Sequence, residues 1–109
     1  YNTGSDYRLK ENVVNLSDGI TRLKTLKPYK FNFIADETNT LVDGFFAHEV
    51  SDVVPGSVFG EKDAPIDEEG KGYQQIDHSK LVPLLTAALQ EAVTKIETLE
   101  TKVAALEGG

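Results

Sequence analysis

Ser5 and Lys10 stand five residues apart in the stretch Gly4-Ser5-Asp6-Tyr7-Arg8-Leu9-Lys10. A serine hydroxyl is a weak nucleophile until a base sits beside it, and a neutral lysine amine can be that base. Free lysine titrates near ~10.4, so burial or a nearby positive charge must help it lose its proton. Arg8 is the candidate charge. On residue types alone the same stretch reads first as a solvated turn before the first helix. Spacing limits how the pair could meet. Five residues set two side chains ~140° apart on a helix and on opposite faces of a strand. Either the segment turns, or the lysine of one chain meets the serine of another.

Other reactive residue types are sparse. His48, next to Glu49, could assist a proton transfer or steady an oxyanion, although a structural hydrogen bond is the plainer role. His78 follows Asp77 at the start of a helical pattern and reads as part of its cap. Two histidines, no cysteine and scattered carboxylates make no metal pattern. Asp67-Glu68-Glu69 lacks the spaced ligands of a calcium loop and reads as a solvated turn. No glycine-rich phosphate loop occurs, so no cofactor is expected. The net charge of −7, with basic residues spread from Arg8 to Lys102, argues against nucleic acid and anionic membranes as partners. No apolar run approaches the ~20 residues of a membrane span.

The elements that must position Ser5 and Lys10 follow from periodicity. Leu9, Val13, Val14 and Leu16 read as a strand or irregular segment with inward positions. Ser17-Asp18 offers helix caps before Ile20, Leu23 and Leu26, and Lys27-Pro28 stops that turn. Aromatic and polar residues then alternate from Tyr29 to Ile34 as in a half-buried strand. The polar turn 35–40 reverses the chain into a second strand, Leu41 to Phe46, forming a hairpin. Ala47, Val50 and Val54 share a helical face that Pro55-Gly56 terminates. Between Val58 and Ile76 two short arms flank the acidic turn 67–70, giving a projecting hairpin or a mobile loop.

A long helix follows from Ser79 to Leu106, capped by Asp77 or Ser79, with Pro83 in its first turns and Gly108-Gly109 as terminator. Leu85, Leu89, Ala92, Ile96, Leu99, Val103 and Leu106 recur at alternating spacings of four and three, the pattern of a coiled-coil seam. Leucine falls mostly at d and β-branched residues at a, with Lys95 and Lys102 at g and Glu100 and Glu107 at e. Those charges match across parallel copies. The stripe could instead pack against the domain's own strands, and its composition does not choose between two and three strands. With hydrophobic residues at 39% the core of one chain should be small, and self-association is the usual remedy. The expected class is α+β: a small hairpin-containing domain with short helices, then a long helix forming a coiled coil. The chain starts at Tyr1 and has no methionine, so it is expected to be part of a longer polypeptide.

Four blocks occur in order: SDYRLKENV, LKPYKFNF, GFFAHEVSDVVPGSV and IDHSKLVPLLTAALQEAV. Together they resemble the C-terminal intramolecular chaperone domain of bacteriophage tailspikes, tail fibres and endosialidases, the S74 peptidase family. The resemblance spans nearly the whole chain. It implies a homotrimer that aligns and helps fold the upstream stem of its own polypeptide in the host cytoplasm. The parent then remains in the virion tail, and the domain leaves by self-cleavage. It also implies a Ser5/Lys10 dyad and a scissile Gly4–Ser5 bond, with residues 1–4 a remnant of the stem and 5–109 the chaperone. Tyr7, His48 and His78 depart from the residues usual in that family. The alternative is a permanent trimerisation or adaptor module without proteolysis.

Overall fold

The computed structural model describes residues 4–108. Tyr1 to Thr3 and Gly109 lie outside them, and with them most of the expected stem remnant. The element order is a 3-10 turn at Tyr7–Leu9, α1 (Gly19–Leu23), β1 (Tyr29–Phe31), β2 (Val42–Gly44) and α2 (Ala47–Ser51). A 3-10 turn at Pro55–Ser57, β3 (Val58–Phe59), β4 (Gln75–Ile76), a 3-10 turn at His78–Leu81 and α3 (Val82–Gly108) complete it. This is the α+β arrangement expected, drawn out to 71 Å along its longest axis.

Both hairpins form where alternation and turn residues put them. β1 and β2 pair antiparallel with Tyr29 opposite Gly44 and Phe31 opposite Val42. The strands are shorter than the alternating pattern because the turn begins early. Phe33 C=O accepts from Asp36 N–H, and the Asp36 carboxylate accepts the Thr38 and Thr40 N–H groups. β3 pairs with β4, Val58 opposite Ile76, so residues 58–76 are a hairpin arm. Its acidic turn is closed by Asp67, whose Oδ1 accepts N–H bonds from Glu69 and Lys71. At Gly72 φ is +135°, and an added Cβ would strike the Pro65 carbonyl. Only glycine fits there.

Four expectations need correction. Leu9, Val13 and Val14 are not inward strand positions: the first ends the Tyr7–Leu9 turn, and Val13 and Val14 are 80% and 86% exposed. Neither two-stranded sheet among the described residues includes them. Val54 lies beyond α2, and Pro55 opens a 3-10 turn instead of simply ending the helix. The long helix begins at Val82, after a 3-10 turn, because Pro83 has no N–H to give the Ser79 carbonyl. Val82 N–H takes that carbonyl instead. It then runs through Gly108, past the expected stop near Leu106.

The core sits where α1 lies on α3. Leu84 and Ala88 of α3 are buried, and Leu81, Val50 and Val53 complete the buried apolar set among the described residues. Gly19 makes this approach possible, since an added Cβ would lie 2.6 Å from Ala88 N and 2.9 Å from the carbonyl carbon of Ala87. Asp18, the expected cap, makes no capping bond and lies 3.7 Å from Arg22. The Gly19 N–H is taken instead by Glu91 Oε2 of α3, at 2.7 Å. Gly19→Ala should therefore push α1 off α3 and lower unfolding free energy by about 1–3 kcal/mol. Urea denaturation measures this, and an unchanged midpoint would refute the close packing.

Candidate functional site

Ser5 and Lys10 meet within one chain. Lys10 Nζ donates to Ser5 Oγ at 3.1 Å. The spacing left a turn or a neighbouring chain to close this gap, and here a turn closes it. Asp6 is extended (φ −65°, ψ 135°), Tyr7 to Leu9 wind as a single 3-10 turn, and Lys10 is extended again (φ −121°, ψ 143°). Leu9 N–H donates to the Asp6 carbonyl at 3.0 Å and Lys10 N–H to the Tyr7 carbonyl at 3.1 Å. Three residues per turn shorten this stretch enough for the lysine's four-carbon stem to reach back.

Asp6 organises the turn. Its Oδ1 accepts the Arg8 backbone N–H at 2.9 Å and Arg8 Nε at 3.0 Å, and its Oδ2 accepts Arg8 Nη2 at 2.8 Å. The Arg8 guanidinium holds the Asp6 carboxyl below its ordinary value of 3.8, the backbone bond adding to this. The arginine is raised in turn. This revises the part expected of Arg8: its charge is matched by Asp6 and is not left free to act on Lys10. An aspartate at a turn's N-cap followed two residues later by arginine was the available signal for Asp6.

Serine and lysine are both exposed, and the amine is the donor. A protonated lysine can only donate, so proton abstraction requires the neutral amine, with Ser5 O–H then the donor. Gly4 precedes the serine, and a Cβ there would lie 3.0 Å from Leu9 Cδ1. The turn thus brings the Leu9 side chain against Gly4.

The other candidates stand apart from this pair. His48 stacks on Phe46, ring centroids 6.1 Å apart, and shares no hydrogen bond with Ser5 or Lys10 among the described residues. His78 tilts against Phe45 at 6.3 Å, and the cap is made by Asp77 accepting from Ser79 N–H and Oγ. No helix among the described residues is long and apolar enough to cross a membrane. The seam residues Leu85, Leu89, Ile96, Leu99, Val103 and Leu106 are exposed, and Ala92 is half-buried. Their stripe runs beside the buried Leu84 and Ala88 of α3, the helix that packs on α1, so α3 presents two apolar faces.

The sequence profile of the family described as chaperone of endosialidase, Peptidase_S74, matches residues 5–59. The matched span opens on Ser5, takes in the turn and the first hairpin, and ends with β3, the first strand of the arm, well before α3. This chain belongs to that family, which joins a chaperone role to a peptidase-related lineage. No curated protein matches it.

The lowered Asp6 value makes the turn pH-dependent with a fixed sign. A carboxyl depressed on folding stabilises the turn above its unfolded value and loses that contribution as pH falls through the folded one. The Asp6 carboxyl should therefore titrate below 3.8 by carbon-detected NMR, with the Arg8 Nε signal moving alongside it. Titration at or above 3.8 would count against the forked pair.

Proposed function

We propose that this chain is the intramolecular chaperone of a bacteriophage tail fibre or tailspike. In this reading it assembles as a homotrimer and leaves by self-cleavage at Gly4–Ser5. The contact of Lys10 Nζ with Ser5 Oγ carries the reading, because it joins a nucleophile and its base beside the bond at which the family match begins.

The nucleophile follows the bond it cuts, so the chemistry is an acyl shift. Lys10, once neutral, takes the Ser5 O–H proton, and Oγ attacks the Gly4 carbonyl carbon. The Gly4–Ser5 C–N bond breaks as its nitrogen takes up a proton, leaving an ester between Gly4 and Ser5 Oγ. Water hydrolyses the ester, giving a Gly4 carboxylate and a Ser5 amine, so each cut consumes one water. Each chain acts once on its own precursor.

What the single chain lacks is dryness around the amine. Leu9, Val13 and Val14 flank Lys10 with exposed apolar surface that assembly could use to exclude water. The exposed α3 seam supports self-association, over a helix of 27 residues, roughly 40 Å at 1.5 Å each. Joining three chain ends raises the stems' effective concentration for one another and favours intertwined β-structure. The open groove lined by Phe31, Phe33, Phe45, Phe46 and Tyr73, with the 58–76 arm, offers apolar surface for unfinished stem edges. Folding and cleavage would take place in the host cytoplasm before the parent enters the virion tail. A permanent trimerisation module is the second reading, favoured by the solvent exposure of both dyad side chains.

Expressed with its upstream stem, the wild-type parent should yield a fragment beginning at Ser5 on a denaturing gel, and Ser5→Ala and Lys10→Ala parents should stay intact. Equal sizes for wild type and Ser5→Ala leave only the permanent module. Co-expressed Ser5→Ala and Lys10→Ala chains should both stay uncut, because the dyad lies within one chain. A cut Lys10→Ala chain would move the base to a neighbour. Ile96→Asp with Leu99→Asp should convert trimers to monomers by sedimentation equilibrium. Trimers that survive both substitutions exclude the seam.

A further inference from the structure

Lys10 reaches Ser5 only because the chain between them is wound into one turn. That turn has little of its own to keep it wound. It contains no buried residue and two backbone hydrogen bonds, both open to competition from water. Short 3-10 segments are marginal even in better surroundings. The remaining restraint is the Asp6 carboxylate, which accepts one backbone and two guanidinium N–H bonds from Arg8, all between 2.8 and 3.0 Å. Charge-assisted, bidentate bonds of this kind are stronger and more directional than neutral ones. They span Tyr7, tying the residue after Ser5 to the residue two before Lys10.

We infer that Asp6 and Arg8 are positioning residues for the cleavage proposed above: their forked pair keeps the Tyr7–Leu9 turn closed and so presents Lys10 to Ser5. The inference rests on the Ser5–Lys10 reading. Neither residue touches the reacting atoms. Arg8 acts as a planar fork, not as a free charge, which is why lysine at position 8 would be a poor substitute.

The test uses the full parent chain, with cleavage rates followed by denaturing gel from neutral to alkaline pH. Asp6→Ala should slow cleavage by roughly 10- to 100-fold, the scale of an ångström-sized misplacement. Asp6→Asn keeps an acceptor for the Arg8 N–H and should recover much of that loss. Asp6→Ala with Arg8→Ala should be no slower than Asp6→Ala alone, because the two act as one unit. Arg8→Ala should lower the plateau of the rate–pH curve and leave its midpoint in place. Trimer formation should be unchanged throughout, since the exposed seam of α3 proposed to drive it is left intact. Wild-type cleavage by Asp6→Ala, with Ser5→Ala uncut, overturns the inference. So does a midpoint shift with unchanged plateau in Arg8→Ala, which would make its charge the active element. A Ser5→Ala parent that is still cut removes the underlying cleavage reading instead.

Discussion

The contact between α1 and α3 is what makes a fold out of short local elements. Five residues of α1 lie on the long helix at backbone range because Gly19 carries no side chain, and Glu91 fills the polar gap that this closeness opens. A buried or half-buried N–H without an acceptor costs more than the bond itself contributes, so the carboxylate belongs to the packing. Around this contact the burial is thin. The buried apolar set among the described residues is Val50, Val53, Leu81, Leu84 and Ala88, while both hairpins pair only with themselves.

That thinness has a functional side. A chain with a fuller core would hide the seam of α3, the faces of Phe33 and Ile34, and the strip through Leu9, Val13 and Val14. Leaving them out costs the single chain stability, and under the proposed function that surface serves association, as large exposed apolar patches generally do. In a chaperone this division makes sense. The surfaces exposed on one copy are those that other copies, or an unfinished stem, can cover.

The reactive pair obeys a different economy. Ser5 and Lys10 are brought together by purely local means: one 3-10 turn, two backbone bonds and a carboxylate-guanidinium fork, with no help from the core. Under the proposed function geometry therefore precedes assembly, whereas the neutral amine that the chemistry needs depends on water being excluded. Under the proposed function the two requirements are separated in space. The turn supplies approach, and the surroundings supplied by association would supply reactivity.

Much of this was legible in the chain. The first hairpin followed from alternating aromatics around a polar turn and the helix from its unbroken periodicity, while the acidic tip and flanking pairs left the arm open between a hairpin and a loop until β3 paired with β4. These are local signals, set by backbone preference and side-chain period. The five-residue gap between Ser5 and Lys10 was also legible as a problem, since neither regular structure could close it. The gap is closed by the 3-10 turn at Tyr7–Leu9, whose Asp6 N-cap also accepts from Arg8, a local geometry that periodicity does not encode. The remaining choices were tertiary. Asp18 looked like the cap of α1, but Glu91, seventy-two residues away, took the N–H. The heptad stripe read as a seam for other copies or as a face for the domain's own strands, and the buried positions of α3 are Leu84 and Ala88 beside it, with the seam left outside. Periodicity names the faces a helix possesses; only the approach of a distant segment decides which one is covered.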